Sequence, residues 1–150
     1  MALKQADATL RAWLERAVAV GGPYDPAALF IGVYTAVVDA GAATTLADVT
    51  EGTGAIATRQ AITAWSAPYK LLDGRWCCDA AGKTFKVASA AEAQIVTGYF
   101  LASAAVAGTL KGFDSIAPAN LSDENRAVTI ATRLTIDPLG RFSVSQVWNG

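Results

Sequence analysis

The chain has 150 residues, 53% of them hydrophobic and 17% charged, and it contains no histidine. This length suits one domain with a packed core, while the charged share falls well short of the ~25% of ordinary domains. A net charge of −1 excludes the phosphate-neutralising surface of a nucleic-acid binder. The absence of histidine excludes Ser–His and Cys–His bases and imidazole ligand sets. Alanine accounts for 32 residues, so small side chains supply much of the apolar excess.

The first segment predicts a helix. Leu3, Ala6, Leu10, Trp13, Leu14, Ala17 and Val18 recur at three- and four-residue spacing and form one apolar stripe, with Lys4, Arg11, Glu15 and Arg16 away from it. Gly21-Gly22-Pro23 stops it, because glycine permits a left-handed cap and proline cannot continue the ladder. Two arrangements stay open. Residues 1–22 either cover the domain's own sheet, or form an arm that docks on a neighbouring subunit through Leu3, Leu10, Trp13 and Leu14. The opening Met1-Ala2-Leu3-Lys4-Gln5-Ala6-Asp7 has no apolar run behind its first charge and is not expected to be a secretory signal.

Beyond Pro26 the hydrophobic period changes to two, and residues 23–150 read as one β domain. Leu29 to Val38 is apolar on both faces, as in a strand covered on both sides, and Asp39-Ala40-Gly41 ends it. Thr45-Leu46-Ala47-Asp48 has the outline of a capping box and predicts one helical turn. Ala55 to Trp65 predicts a second strand. Arg75 to Asp79 and Lys83 to Ala88 flank Ala80-Ala81-Gly82 and predict a hairpin. Gln94 to Leu101 is a third two-sided apolar strand. Thr109 to Ile116 follows, closed by Pro118. Ala127 to Ile136 alternates, with Val128, Ile130, Leu134 and Ile136 on one face and Thr129, Arg133 and Thr135 on the other. Asp137-Pro138-Leu139-Gly140 is a turn, and Arg141 to Trp148 is the last strand. About eight short strands at this spacing argue a mainly β fold, a single β-sandwich or jelly-roll-like domain with an N-terminal amphipathic helix.

Chemistry-bearing patterns are few. The carboxylates fall at predicted turns and helix surfaces, and no pair has the setting of a glycosidase cleft. Asp123-Glu124 with Asn120 and Asn125 lacks EF-hand spacing, and Gly52-Thr53-Gly54 lacks the rest of a phosphate loop. Cys77-Cys78 are neighbours on a strand, so they point to opposite faces and read as two reduced thiols, which suits a reducing cytoplasm. The uncharged run Ala93 to Leu110 holds Gln94, Thr97, Gly98, Ser103 and Gly108 and alternates like a strand, so no membrane span is expected. No catalytic residue, metal or cofactor is expected. The tryptophans Trp13, Trp65, Trp76 and Trp148 remain, and Trp13 and Trp65 join Leu3, Leu10 and Leu14 as candidate interface residues. A mean hydropathy of +0.32 in so small a domain points to apolar surface covered by partners.

The order of several short segments carries a resemblance. Val33-Tyr34-Thr35 ends an aliphatic strand. Thr45-Leu46-Ala47-Asp48-Val49-Thr50-Glu51 follows, then Thr58-Arg59-Gln60 leading to Ala64-Trp65-Ser66. After Asp73-Gly74 come Lys83-Thr84-Phe85, Thr97-Gly98-Tyr99-Phe100 and Leu110, and the pattern closes with Thr132-Arg133-Leu134-Thr135. Over roughly residues 28 to 136 this resembles small virion structural proteins of tailed bacteriophages, although Val49 and Thr97 stand where that pattern has aromatic residues. The resemblance implies a non-enzymatic β-sandwich subunit decorating or cementing the capsid, made in the host cytoplasm and carried on the virion surface. Its implied partners are the major capsid protein and its own copies, with a homotrimer suiting sites of local threefold symmetry, and neither nucleic acid nor membrane. A tail, head-tail adaptor or fibre-base component that contacts the host surface is the alternative expectation. A cell-wall glycan hydrolase is a distant third.

Overall fold

The computed structural model describes residues 3–38, 41 and 43–147. Helix α1 (Asp7–Val18) opens the chain and buries Leu10, Leu14 and Ala17. The strands follow as β1 (Phe30–Val37), β2 (Val49–Glu51), β3 (Gln60–Ala61), β4 (Tyr69–Lys70), β5 (Trp76–Asp79), β6 (Lys83–Lys86), β7 (Gln94–Ala102), β8 (Leu110–Leu121), β9 (Ala127–Ile130), β10 (Thr132–Ile136) and β11 (Phe142–Gln146). Among the described residues the protein is thus mainly β, with eleven strands in antiparallel sheets and one α-helix near the N-terminus. The largest sheet has the order β2-β1-β7-β8, with β3 sharing an edge of β1; a second runs β11-β10-β5-β4; β6 and β9 form a pair.

The two-sided apolar strands are covered on both faces. Ile31 and Val33 of β1 and Tyr99 and Leu101 of β7 enter a core with Phe85, Leu121 and Ile130. Tyr34, Phe100 and Ala102 point the other way and meet Leu46, Val49, Leu110 and Phe113. The turn of Leu46–Asp48 that carries Leu46 onto this face is a 3-10 helix, and Thr45 N–H donates to Asp48 Oδ2 at 2.9 Å. Against β5 and β10, the helix contributes Leu10 and Leu14 to a second core with Cys78, Leu134 and Ile136. Trp65, Tyr24 and Val144 touch both of these cores.

Several expectations are corrected. The strand expected over Ala55 to Trp65 shrinks to β3, preceded by a 3-10 helix (Gly54–Ala57), and Trp65 makes only an isolated bridge to Ala80. Side chains tie down this stretch in place of a ladder: Glu92 accepts from Ala55 N–H and Gln94 from Thr53 N–H, each at 2.9 Å. The expected hairpin around Ala80-Ala81-Gly82 is a crossover, since β5 pairs with β4 and β10 while β6 pairs with β9. The reason is burial: Phe85 belongs to the core under β1 and β7, and Cys78 to the core under α1. The alternating run 127–136 keeps its parity but changes sheets at Ala131, whose carbonyl accepts from Val147 N–H at 2.8 Å.

Nor does Pro118 close its strand, because β8 runs on to Leu121. β8 is an outer strand, and its register jumps from Ser115 opposite Gly98 to Ala119 opposite Val96. Residues 116–118 thus bulge past the single residue Thr97, where proline removes no ladder bond. The last strand ends at Gln146. Trp148 and the Asp39-Ala40 part of the turn after β1 lie outside the described residues.

Candidate interaction surface

The candidate surface begins where α1 meets the β10–β11 hairpin. Asp137 Oδ1 accepts from Leu139 and Arg141 N–H, both at 2.9 Å, and Gly140 takes φ +85° to close the turn. The glycine has a second reason: a Cβ on Gly140 would come within 2.7 Å of the Trp13 indole. Trp13 therefore lies over the turn and remains 36% exposed, beside Leu139 at 36% and Phe142 at 38%. Trp13, Ala17, Pro23 and Phe142, with Arg16, line a shallow groove of about 400 Å3.

The helix is fastened to this position at its N-terminal end. Lys70 Nζ and Trp76 Nε1 donate to Asp7 at 2.9 and 3.2 Å, and Gln5 N–H donates to Pro138 O at 2.7 Å. The Lys70 bond, followed by that of Trp76, holds the Asp7 carboxyl below its ordinary pKa. The Arg11 guanidinium sits 5.8 Å over the Trp76 ring.

The five interface candidates consequently separate. Leu10 and Leu14 are 1% and 0% exposed and pack inside this chain, so as surface contacts they are corrected. Trp65 is half-buried between the two cores and donates its Nε1–H to Tyr24 O at 2.8 Å. Leu3, ahead of the helix, is 80% exposed. Trp13 alone of the five lies at the groove. Phe142, opposite Ile136 on the hairpin, completes the surface and was missed, although its place in the alternating last strand carried the signal.

Several of the segments that carry the resemblance meet elsewhere, on the outer face of the largest sheet, while Trp65, Phe85 and Leu134 lie in the other cores. Arg59 is 7% exposed. It donates through Nε and Nη2 to the two oxygens of Glu51 at 3.0 and 2.9 Å, and through Nη1 to the carbonyls of Ala104 and Ala107 at 2.8 and 2.7 Å. Its guanidinium lies 5.2 Å over the Phe100 ring. One side chain thus anchors β2, the strand face and the loop between β7 and β8, where Ala107 holds φ +56°. On the same face, Tyr34 crosses β7 at Gly98 to donate its hydroxyl to Asp114 O of β8 at 3.1 Å.

A further polar network lies on the β4–β5–β10 sheet. Asp79 pairs with Arg133 Nε at 2.8 Å and accepts from the Tyr69 hydroxyl, and Arg133 Nη2 donates to that same hydroxyl at 2.8 Å. This network covers Cys77, while Cys78 points into the core under α1. Burial pushes both thiols up, Cys78 to about 12. Among the described residues, no group of three or more His, Cys, Asp or Glu side chains is placed to hold a metal ion. Nor is any described helix long and apolar enough to cross a membrane.

The class defined by these observations is a mainly β chain of antiparallel sheets with one packed helix. Among protein-family models, curated proteins and solved structures, nothing matches it.

Proposed function

We propose that this chain is a non-enzymatic virion structural protein of a tailed bacteriophage, a capsid decoration or cement protein that binds the outer shell and its own copies. In this reading the two larger sheets form a β-sandwich closed on one side by α1, with Trp65, Tyr24 and Val144 at the meeting of their cores. The observation that carries the reading is the convergence of several of the resembling segments. Tyr34, Leu46, Val49, Glu51, Arg59, Gly98, Phe100 and Leu110 come from separate stretches and pack on the same sheet face. Residues that interlock in this way serve to hold a scaffold, the role expected of a shared architecture without shared chemistry.

Adhesion would come from apolar surface. Trp13 and Phe142 are exposed at one groove, in a chain with few charges to keep copies and partners apart. At ~25 cal/mol per Å2, a few hundred Å2 of apolar contact supplies several kcal/mol before ordering costs. Repetition over a shell multiplies the effect. The test is to add purified protein to particles lacking it. Saturable binding to bare shells, with unlabelled tails, is the expected result. Labelling confined to tails would transfer the chain to the tail or adaptor class.

A further inference from the structure

We infer that the outer edge of β11 is a pairing site for a second copy of this chain, joined antiparallel about a twofold axis at Val144. Two bonds flanking the strand fix which backbone groups face outward. Asp137 N–H donates to Arg141 O at 2.9 Å, and Val147 N–H donates to Ala131 O at 2.8 Å. In an antiparallel ladder the sides alternate, so residues 141, 143, 145 and 147 turn their main-chain groups towards β10. Phe142, Val144 and Gln146 turn theirs away. Among the described residues β10 is the only strand paired with β11, which leaves three N–H and three C=O groups in a row without a ladder partner.

Outer strands usually carry devices against such pairing. β8 has Lys111, Asp114, Pro118 and a bulge, β2 is three residues long, and β4 is two residues ending in Lys70. By contrast β11, Phe-Ser-Val-Ser-Gln, has no charge, no proline and no bulge in its register. Its sequence also favours its own copy. A twofold axis at Val144 sets Ser143 against Ser145 of the partner subunit and Phe142 against Gln146 of the partner subunit, so every apposed pair of β11 is uncharged. No charge meets a like charge, and all six outward groups of each strand find reciprocal partners in one continuous sheet.

This inference deepens the self-contact within the proposed function, and it is read without any shell present, so either can fail alone. The experiment is sedimentation of the full chain from micromolar to sub-millimolar concentration, with residue-resolved amide exchange on the same samples. The expected result is a species of twice the 15.5 kDa chain mass, with the amides of Phe142, Val144 and Gln146 becoming protected as it forms. Gln146→Pro removes an outward donor and leaves the ladder to β10 intact. It is expected to weaken the dimer roughly tenfold or more. The wild-type exchange pattern stands whether or not that variant folds. A single-chain mass throughout overturns the inference, as does a dimer whose three edge amides stay unprotected. Protection of those amides only on addition of bare shells would assign the edge to the shell protein and overturn it equally.

Discussion

Arg59 grips both carboxylate oxygens of Glu51 with Nε and Nη2, and with Nη1 it holds the carbonyls of Ala104 and Ala107. A guanidinium suits the task because its planar fork supplies paired donors on one side and a further donor on the other. The Arg59 side chain is 4% exposed and that of Glu51 36%. Replacing Arg59 by alanine leaves two carbonyls and a partly shielded carboxylate without it. Arg59→Ala is expected to cost about 2–4 kcal/mol in urea unfolding, the solvated side of Glu51 keeping it below the full range for buried pairs. Arg59→Lys should recover only a part, since an ammonium cannot span both sets of partners.

Gly98 exists to let Tyr34 across. A Cβ there would fall 2.0 Å from Tyr34 Cζ and 2.5 Å from the Asp114 carbonyl oxygen. Gly98→Ala is therefore expected to destabilise by more than Tyr34→Phe, which removes only a hydrogen bond worth about 1 kcal/mol. Thermal or urea unfolding of the two variants checks the order.

The helix contributes to the core rather than hanging from it. Leu14→Ala should cost about 2–5 kcal/mol, as expected for a fully buried leucine. Leu3→Ala should leave the unfolding midpoint unchanged, because Leu3 is 80% exposed. Equal effects of the two would place α1 off the sheet.

Acid should weaken the fold. Asp7 is held low by Lys70, and Asp25, Asp73, Glu92 and Asp137 mainly by backbone N–H groups. Native carboxyls with depressed values bind protons less readily than unfolded ones, so their stabilisation is full above the ordinary values of 3.8 for Asp and 4.5 for Glu. It is lost as pH falls below those values through the native ones. With no histidine in the chain, the melting temperature should stay flat between about pH 5 and 8 and drop below that carboxylate range.

The thiols offer a separate check. Cys78 is fully buried with its pKa raised to about 12, so iodoacetamide at mildly alkaline pH should modify it only in denaturant. Rapid labelling of the native chain would contradict the burial described for it.

Strand existence was legible wherever periodicity was long. Leu29 to Val38, Gln94 to Leu101 and the 127–136 alternation all returned as strands, because their side chains must be shared between two faces or divided by parity. Partnership was not legible. Nothing local distinguishes Arg75 to Asp79 and Lys83 to Ala88 as strands of different sheets; that choice follows from Phe85 and Cys78 entering different cores. The helix stripe named Leu10, Leu14 and Trp13 together, yet a one-dimensional pattern cannot say which apolar residues meet their own sheet. Gly140 decides it for Trp13, and Phe142 becomes its neighbour only through the hairpin. Arg59 stood in view as part of Thr58-Arg59-Gln60, but its partners Glu51, Ala104 and Ala107 are brought to it by the fold.

A reconstructed density map of the intact particle tests the decoration role most directly. A decoration protein lies on the outer face of the shell, repeated at equivalent lattice positions and touching the major capsid protein. Density for this chain confined to the tail or the head-tail junction, with a bare shell, would exclude that role.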